Sequence, residues 1–168
     1  MAGNTLVIAT SDNGADEGFY SPIRDKKASI WEGGHRVPFF VRHPASIEPG
    51  RVNPSMFGLN DLYLTLSSIA GIHGDDKQGR DSFDVQTAFA GTKLARPEPL
   101  MIQEKGNSET LAVREGRWKL IRRSETADEL HDLQTDLKET TDVSKQQPQV
   151  TKRLSRYLKN KLAERTPR

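Results

Sequence analysis

The chain has 168 residues, 34% of them hydrophobic and 29% charged, a formal net charge of +2 and no cysteine. That length suits one ordinary domain, or one domain with a small appendage. Without a thiol, a disulfide scaffold, a thiolate zinc site, an iron–sulfur cluster and a cysteine nucleophile are excluded; the small charge does not by itself imply nucleic acid, and no apolar run approaches the roughly 18 to 20 residues of a membrane span.

The start, Met1-Ala2-Gly3-Asn4, lacks a basic segment, so no signal peptide is expected in this chain. Thr5–Thr10 is a β-branched, nearly all-apolar run. It reads as a strand buried on both faces, hence central in a parallel sheet. Ser11-Asp12-Asn13-Gly14 follows at its carboxyl end, where ligands bind in open α/β sheets. Asp12 and Asn13 offer a carboxylate and an amide oxygen, which suit calcium or magnesium; the blander reading is a plain turn. Asp16 and Glu17 can add ligands or be solvated acids.

Residues 14–36 have little periodicity and contain Gly14, Gly18, Pro22, Gly33 and Gly34. A loop that long in a compact domain is functional or disordered. It ends in Trp31-Glu32-Gly33-Gly34-His35-Arg36 and runs into a second strand, Val37–Arg42, closed by Pro44 and Pro49-Gly50. Leu59, Leu62, Leu66, Ile69 and Ala70 recur at helical spacing, with Asp61 as N-cap and Gly71 just past the end. Residues 72–99 read as polar loop with a short helix at 84–90.

The last third changes character. Leu100–Gln103, Thr110–Arg114 and Trp118–Arg122 are short strands, the latter two joined by a hairpin turn at Arg114-Glu115-Gly116-Arg117. Glu129–Leu133 alternates like another strand, with Trp118 as core of the small sheet. Thr135–Thr140 reads as a polar connector. Val150, Leu154, Tyr157, Leu158 and Leu162 form one stripe, which predicts an amphipathic helix over 148–163 with Pro148 in its first turn. Pro148–Arg168 carries seven Lys or Arg and one Glu. It reads first as a solvated helix face, with contact to a polyanion as the sharper alternative.

Read as blocks, the chain has Thr5-Leu-Val-Ile-Ala-Thr-Ser-Asp-Asn-Gly14, then Lys27-Ala-Ser-Ile-Trp-Glu-Gly-Gly-His-Arg-Val-Pro38, then Asn60-Asp-Leu-Tyr-Leu-Thr-Leu66. In this order and spacing they resemble the C-terminal part of the type I, formylglycine-dependent sulfatases (the arylsulfatase family). Arg114-Glu-Gly-Arg-Trp-Lys-Leu-Ile121, Glu129-Leu-His-Asp-Leu133 and Asp136…Glu139…Asp142-Val143 resemble that family's C-terminal subdomain. Leu64 stands where the family usually has proline.

The resemblance implies an α/β fold: the C-terminal part of an alkaline-phosphatase-like sulfatase fold, with a small antiparallel sheet plus a C-terminal helix. Residues 1–99 would be the incomplete catalytic α/β part and 100–168 a small α+β subdomain. Asp12 and Asn13 match a pair of metal ligands, for calcium with magnesium as alternative. Lys27 matches the catalytic, sulfate-binding lysine, and Lys26 is the second choice. His35 is a candidate substrate-binding residue, or a packing histidine; His43, His73 and His131 are weaker candidates. Glu32, Gly33, Gly34 and Arg36 read as structural, the glycines for unusual backbone angles and Arg36 by holding the turn through Glu32.

The same resemblance implies what is missing. The family's nucleophile is a formylglycine made within Cys/Ser-x-Pro-x-Arg; there is no Cys, and Ser21-Pro22-Ile23-Arg24 has the wrong spacing. The chain would then be roughly the last third of a sulfatase, inactive alone and needing the N-terminal sulfatase portion or an oligomer to cover its strands. The expected activity of the complete protein is metal-dependent hydrolysis of aryl or carbohydrate sulfate esters. The alternatives are a non-catalytic remnant or interaction module, and a phosphate-ester hydrolase of the alkaline phosphatase superfamily. By the same resemblance a periplasmic or extracellular setting is expected.

Overall fold

A computed structural model of the chain describes residues 2–16, 23–72, 78–123 and 128–164. Glu17, His73 and the Ser21-Pro22 dipeptide lie outside the described residues. In chain order the elements are β1 (Val7–Thr10), α1 (Glu32–His35), β2 (Phe39–Arg42), α2 (Leu62–Ile69), α3 (Gln86–Phe89), β3 (Leu100–Glu104), β4 (Asn107–Glu115), β5 (Trp118–Arg122), β6 (Glu129–Asp132) and α4 (Pro148–Glu164). They form two compact units. One holds residues 1–12 and 38–98, the other 13–37 and 99–168. The sequence divides the chain into 1–99 and 100–168; residues 13–37 instead pack with the C-terminal sheet.

In the first unit β1 pairs with β2 antiparallel, from Val7 opposite Arg42 to Thr10 opposite Phe39. Among the described residues the neighbour of β1 therefore runs antiparallel, not parallel as read from the sequence. An unbroken apolar run suggests two covered faces, but the pleat sends alternate side chains to opposite sides. Ile8, Phe39 and Val41 pack on Val85, Ala88 and Phe89, with Phe57 edge-on to Phe39 at 4.9 Å. Val7 (47%) and Phe40 (68%) stay exposed, and Phe39, Phe40, Val52, Phe57 and Phe89 line an apolar cavity of about 910 Å³.

α2 follows a short 3-10 turn, Leu59–Asp61, and ends at Gly71, whose φ of +69° a glycine adopts without strain. Asp61 does not cap α2 through its side chain. It is fully buried and accepts from the Gly58 N–H (2.8 Å), the Phe83 N–H (3.0 Å) and Arg96 Nε (2.9 Å). A buried carboxylate with several donors and a paired guanidinium satisfies its charge, and ties the 3-10 turn to residues 83 and 96.

The second unit is a four-stranded antiparallel sheet in the order β3-β4-β5-β6. Val113, Leu120 and Leu130 sit side by side across β4, β5 and β6. With Leu111 they meet Leu154 and Leu158 of α4. Each of these fully buried leucines contributes about 1.5–3 kcal/mol relative to exposure. Trp118 is half-buried and packs against the same cluster, under Arg117 at 5.0 Å. Lys152, Arg153, Arg156 and Lys159 lie exposed on the outer face of α4, and Arg153 pairs with Glu115.

The opposite face of that sheet carries Ala112, Ile121, Arg114, Lys119 and His131. Ala112 lies opposite Ile121; Lys119 sits between Arg114 and His131. Residues 30–32 cover it: Ile30 and Trp31 are buried against Ala112 and Ile121, and Trp31 meets His131 edge-on at 5.6 Å. The second unit is therefore three-layered: α4, the sheet, and the 24–35 segment.

Candidate functional site

The 24–35 segment is held by close backbone approach. Gly14 N–H donates to Gly34 O (2.9 Å), Lys27 N–H to Ala15 O (2.9 Å), and Gly33 N–H to Arg24 O (2.8 Å). A Cβ on Gly14 would sit 1.7 Å from Gly33 O, one on Gly33 2.0 Å from Asp25 O, and one on Gly34 2.1 Å from Ser29 O. These glycines serve proximity, and the left-handed angles expected of them fall instead on Asp25 (φ 63°) and Ala28 (φ 77°).

Within this unit Asn13, Lys27, Ser29, His35, Gln103 and Lys105 line a cavity of about 200 Å³. The fold thus gathers Asn13, Lys27 and His35 from along the 13–37 stretch. Asn13 Nδ2 donates to Gly14 O (2.8 Å). Lys27 is exposed, and His35 Nε2 lies 3.1 Å from Glu32 Oε1. His35 Nδ1 and Ser29 Oγ are buried without a hydrogen-bond partner among the described residues. Orphaned polar atoms cost free energy unless something pairs with them, so two residues lining the cavity retain unmet hydrogen-bonding capacity. Asp12 is exposed at the end of the first unit, joined by one peptide bond to Asn13. His43 bonds Ser46 Oγ (2.6 Å), and His131 packs in the sheet layer.

Beneath the cavity lies an ionic network that the sequence does not announce. Glu32 is fully buried and pairs with Lys119 Nζ at 3.3 Å and with Arg114 Nη1. Arg36, the partner expected from the sequence, is 3.6 Å away and 48% exposed. Lys119, itself fully buried, also pairs with Glu139 Oε1 at 2.7 Å. Glu139 Oε2 accepts the Glu32 N–H (2.7 Å), and Glu139 O accepts from Arg24 Nη1 (2.8 Å). Burial alone would raise the Glu32 pKa, but the His35 hydrogen bond and the Lys119 and Arg114 charges hold it well below the usual glutamate range. Burial pushes Lys119 down, against the pull of Glu32 and Glu139.

Asp128, Asp132, Asp136 and Asp142 are likewise held below the usual aspartate range. For Asp132 the Arg117 hydrogen bond is the main cause. A carboxylate with a depressed folded pKa adds stability above its unfolded pKa, and that stability is lost as pH falls through the folded value. The urea midpoint is therefore expected to hold steady from pH 7 to about 5 and to decline steadily below about 4. Urea titrations across that range check it; an unchanged midpoint at pH 3 contradicts the network.

Arg114, Lys119 and Glu139 are the residues that sequence reading missed. Lys119 and Arg114 alternate with apolar neighbours, the usual mark of a solvent face, and Glu139 sits in a segment read as polar connector. The one signal was that these residues fall inside the blocks resembling the sulfatase C-terminal subdomain.

Comparison with known proteins agrees with this architecture. The solved Bacteroides thetaiotaomicron sulfatase described for glycosaminoglycan metabolism superposes with TM-score 0.82 at 28% identity, covering 95% of this chain and 39% of that one. The crystal structure of Ps i-CgsB in complex with k-i-k-neocarrahexaose gives 0.84 at 27%, over 95% and 36%. A phosphonate monoester hydrolase of Agrobacterium radiobacter shares the fold alone (18%, TM-score 0.62). The class so defined is the sulfatases, and the fold is the C-terminal part of their alkaline-phosphatase-like architecture. A family model described as N-sulphoglucosamine sulphohydrolase, C-terminal, matches residues 20–167. The chain belongs to that family. Among curated relatives, the N-acetylgalactosamine-6-O-sulfatase of Bacteroides thetaiotaomicron is 28% identical over 95% of this chain. A sulfatase of Formosa agariphila is 32% identical over 96%. The chain spans 37% and 33% of their respective lengths, about a third.

Proposed function

We propose that this chain supplies one wall of the active site of a sulfuric ester hydrolase acting on carbohydrate sulfates. The supporting observation is the cavity that Asn13, Lys27 and His35 share, lined also by Ser29. The Lys27 ammonium donates to a sulfuryl oxygen, placing positive charge where negative charge collects as the S–O bond breaks. With Nε2 turned to Glu32 and Nδ1 buried, His35 shapes the cavity wall beside Lys27. The relative named N-acetylgalactosamine-6-O-sulfatase supports a carbohydrate substrate.

Asp12 and Asn13 offer oxygen donors of the kind a calcium ion takes, so they fit as two ligands. A hard cation takes six to eight such oxygens, and the described residues contain no group of three or more His, Cys, Asp or Glu able to hold a metal. In this reading the remaining ligands and the formylglycine nucleophile come from polypeptide beyond these residues. A bound calcium would neutralise charge on the sulfuryl group.

The test is sulfate release from a chromogenic aryl sulfate and a sulfated amino sugar. It compares this chain with a polypeptide extended to the length of its relatives, with and without calcium. Turnover by the extended form only, lost on chelation and restored by calcium, is expected. Preference for phosphate esters, or full activity in the 168-residue chain, refutes the reading.

A further inference from the structure

We propose that Glu139 is a positioning residue: from the C-terminal half of its unit it clamps both ends of the 24–35 segment, and so sets Lys27 and His35 at the cavity that receives the sulfuryl group. The role of Lys27 and His35 rests on the sulfatase reading; the clamp itself rests on geometry.

Glu139 uses three separate atoms. Its carbonyl accepts from Arg24 at the start of the segment (2.8 Å). Its Oε2 accepts the backbone N–H of Glu32 (2.7 Å), the first residue of α1, three residues before His35. Its Oε1 meets the Lys119 ammonium (2.7 Å), which in turn reaches the Glu32 carboxylate. Gly33 N–H closes the segment back onto Arg24 O. Lys27 lies between these anchor points, and Lys105 N–H donates to its neighbour Ala28 (3.1 Å).

The anchor is itself fixed. Glu139 is fully buried with φ 53°. Its N–H donates to Asp136 O (3.2 Å). Asp136 Oδ2 accepts from the N–H groups of Thr140 (2.7 Å) and Thr141 (2.8 Å). Val143 N–H then joins the turn to β6 through Leu130 O (2.8 Å). Arg24 also stacks on Trp31, its guanidinium carbon 3.4 Å from the ring centroid. A loop bearing substrate contacts needs such support, because displacement by about 1 Å costs on the order of a hundredfold in rate.

Glu139→Ala alone strands the Lys119 charge, so the decisive variant is the charge-neutral pair Glu139→Ala with Lys119→Met. Arg24→Ala is the companion, since it removes the other anchor without touching a buried charge. Glu139→Gln with Lys119→Met is the conservative control, because the amide oxygen still accepts from Glu32 and no buried charge is stranded. Hydrogen exchange on the 168-residue chain should show amides 24–36 exchanging at least about tenfold faster in the pair and in Arg24→Ala. Amides of β4 and β5 should stay protected, and the Glu139→Gln, Lys119→Met control should lie near wild type at 24–36. In the extended polypeptide the same two variants should lose about tenfold or more in kcat/KM, with the Glu139→Gln, Lys119→Met control retaining most of it.

Unchanged exchange at 24–36 in Arg24→Ala and the pair overturns the clamp. Faster exchange with kcat/KM unchanged overturns the positioning role. No sulfate release from the unsubstituted extended polypeptide refutes the sulfatase reading instead, and the exchange comparison still decides the clamp.

Discussion

Lys119→Met is expected to destabilise the protein by about 3–5 kcal/mol, the usual cost of breaking a buried ion pair by removing one partner. Methionine roughly preserves the volume of the aliphatic stem, so the loss is electrostatic rather than a cavity effect. Lys119 is fully buried between Glu32 and Glu139, both fully buried. Removing it leaves two interior carboxylates with Arg114 as the nearest compensating charge on Glu32. A second substitution, Glu139→Gln, restores neutrality and should recover a good part of the loss, because the penalty lies in the stranded charge and not in a missing contact. Urea unfolding of wild type, single and double variants measures this. A single variant within about 0.5 kcal/mol of wild type, the range of an ordinary surface substitution, would remove the network from the account.

Lys27→Ala should act in the opposite sense, leaving stability nearly unchanged and lowering turnover. Lys27 is exposed and lines the cavity with Asn13 and His35. A surface substitution of this kind shifts stability by no more than about 0.5 kcal/mol. Losing one preorganised donor to developing negative charge costs about 10²–10³ in kcat, or about 2.7–4 kcal/mol of transition-state stabilisation. Lys26→Ala is the control and should change kcat by less than about threefold, since a lysine not aimed at the reacting group is a surface substitution. The measurement is kcat and KM on a sulfate ester in the extended polypeptide. Equal losses for Lys26→Ala and Lys27→Ala would mean a diffuse electrostatic effect, and the assignment of Lys27 would fall.

The elements that sequence reading placed well are those whose signals are local. The 118–122 strand ends at the expected residues, because a glycine turn and alternating apolar positions lie within a few residues of each other. The α4 stripe falls within one residue of its expected end for the same reason. The 5–10 run misled because an apolar tetrad does not say which way its neighbour runs. Asp61 misled because a carboxylate before a helix is a cap by sequence rules, whereas here Arg96, Gly58 and Phe83 take it.

By itself the sequence determined the family resemblance, the strand and helix content of the last third, and the candidates Asp12, Asn13, Lys27 and His35. The tertiary structure alone decided that Glu32, Lys119 and Glu139 form one buried cluster, with Glu32 and Glu139 separated by 107 residues. A charged residue on a strand reads as solvent-facing unless something covers that face. What covers it here is the segment bearing Ile30, Trp31 and Glu32, and no local pattern encodes which distant stretch of chain will lie over a sheet.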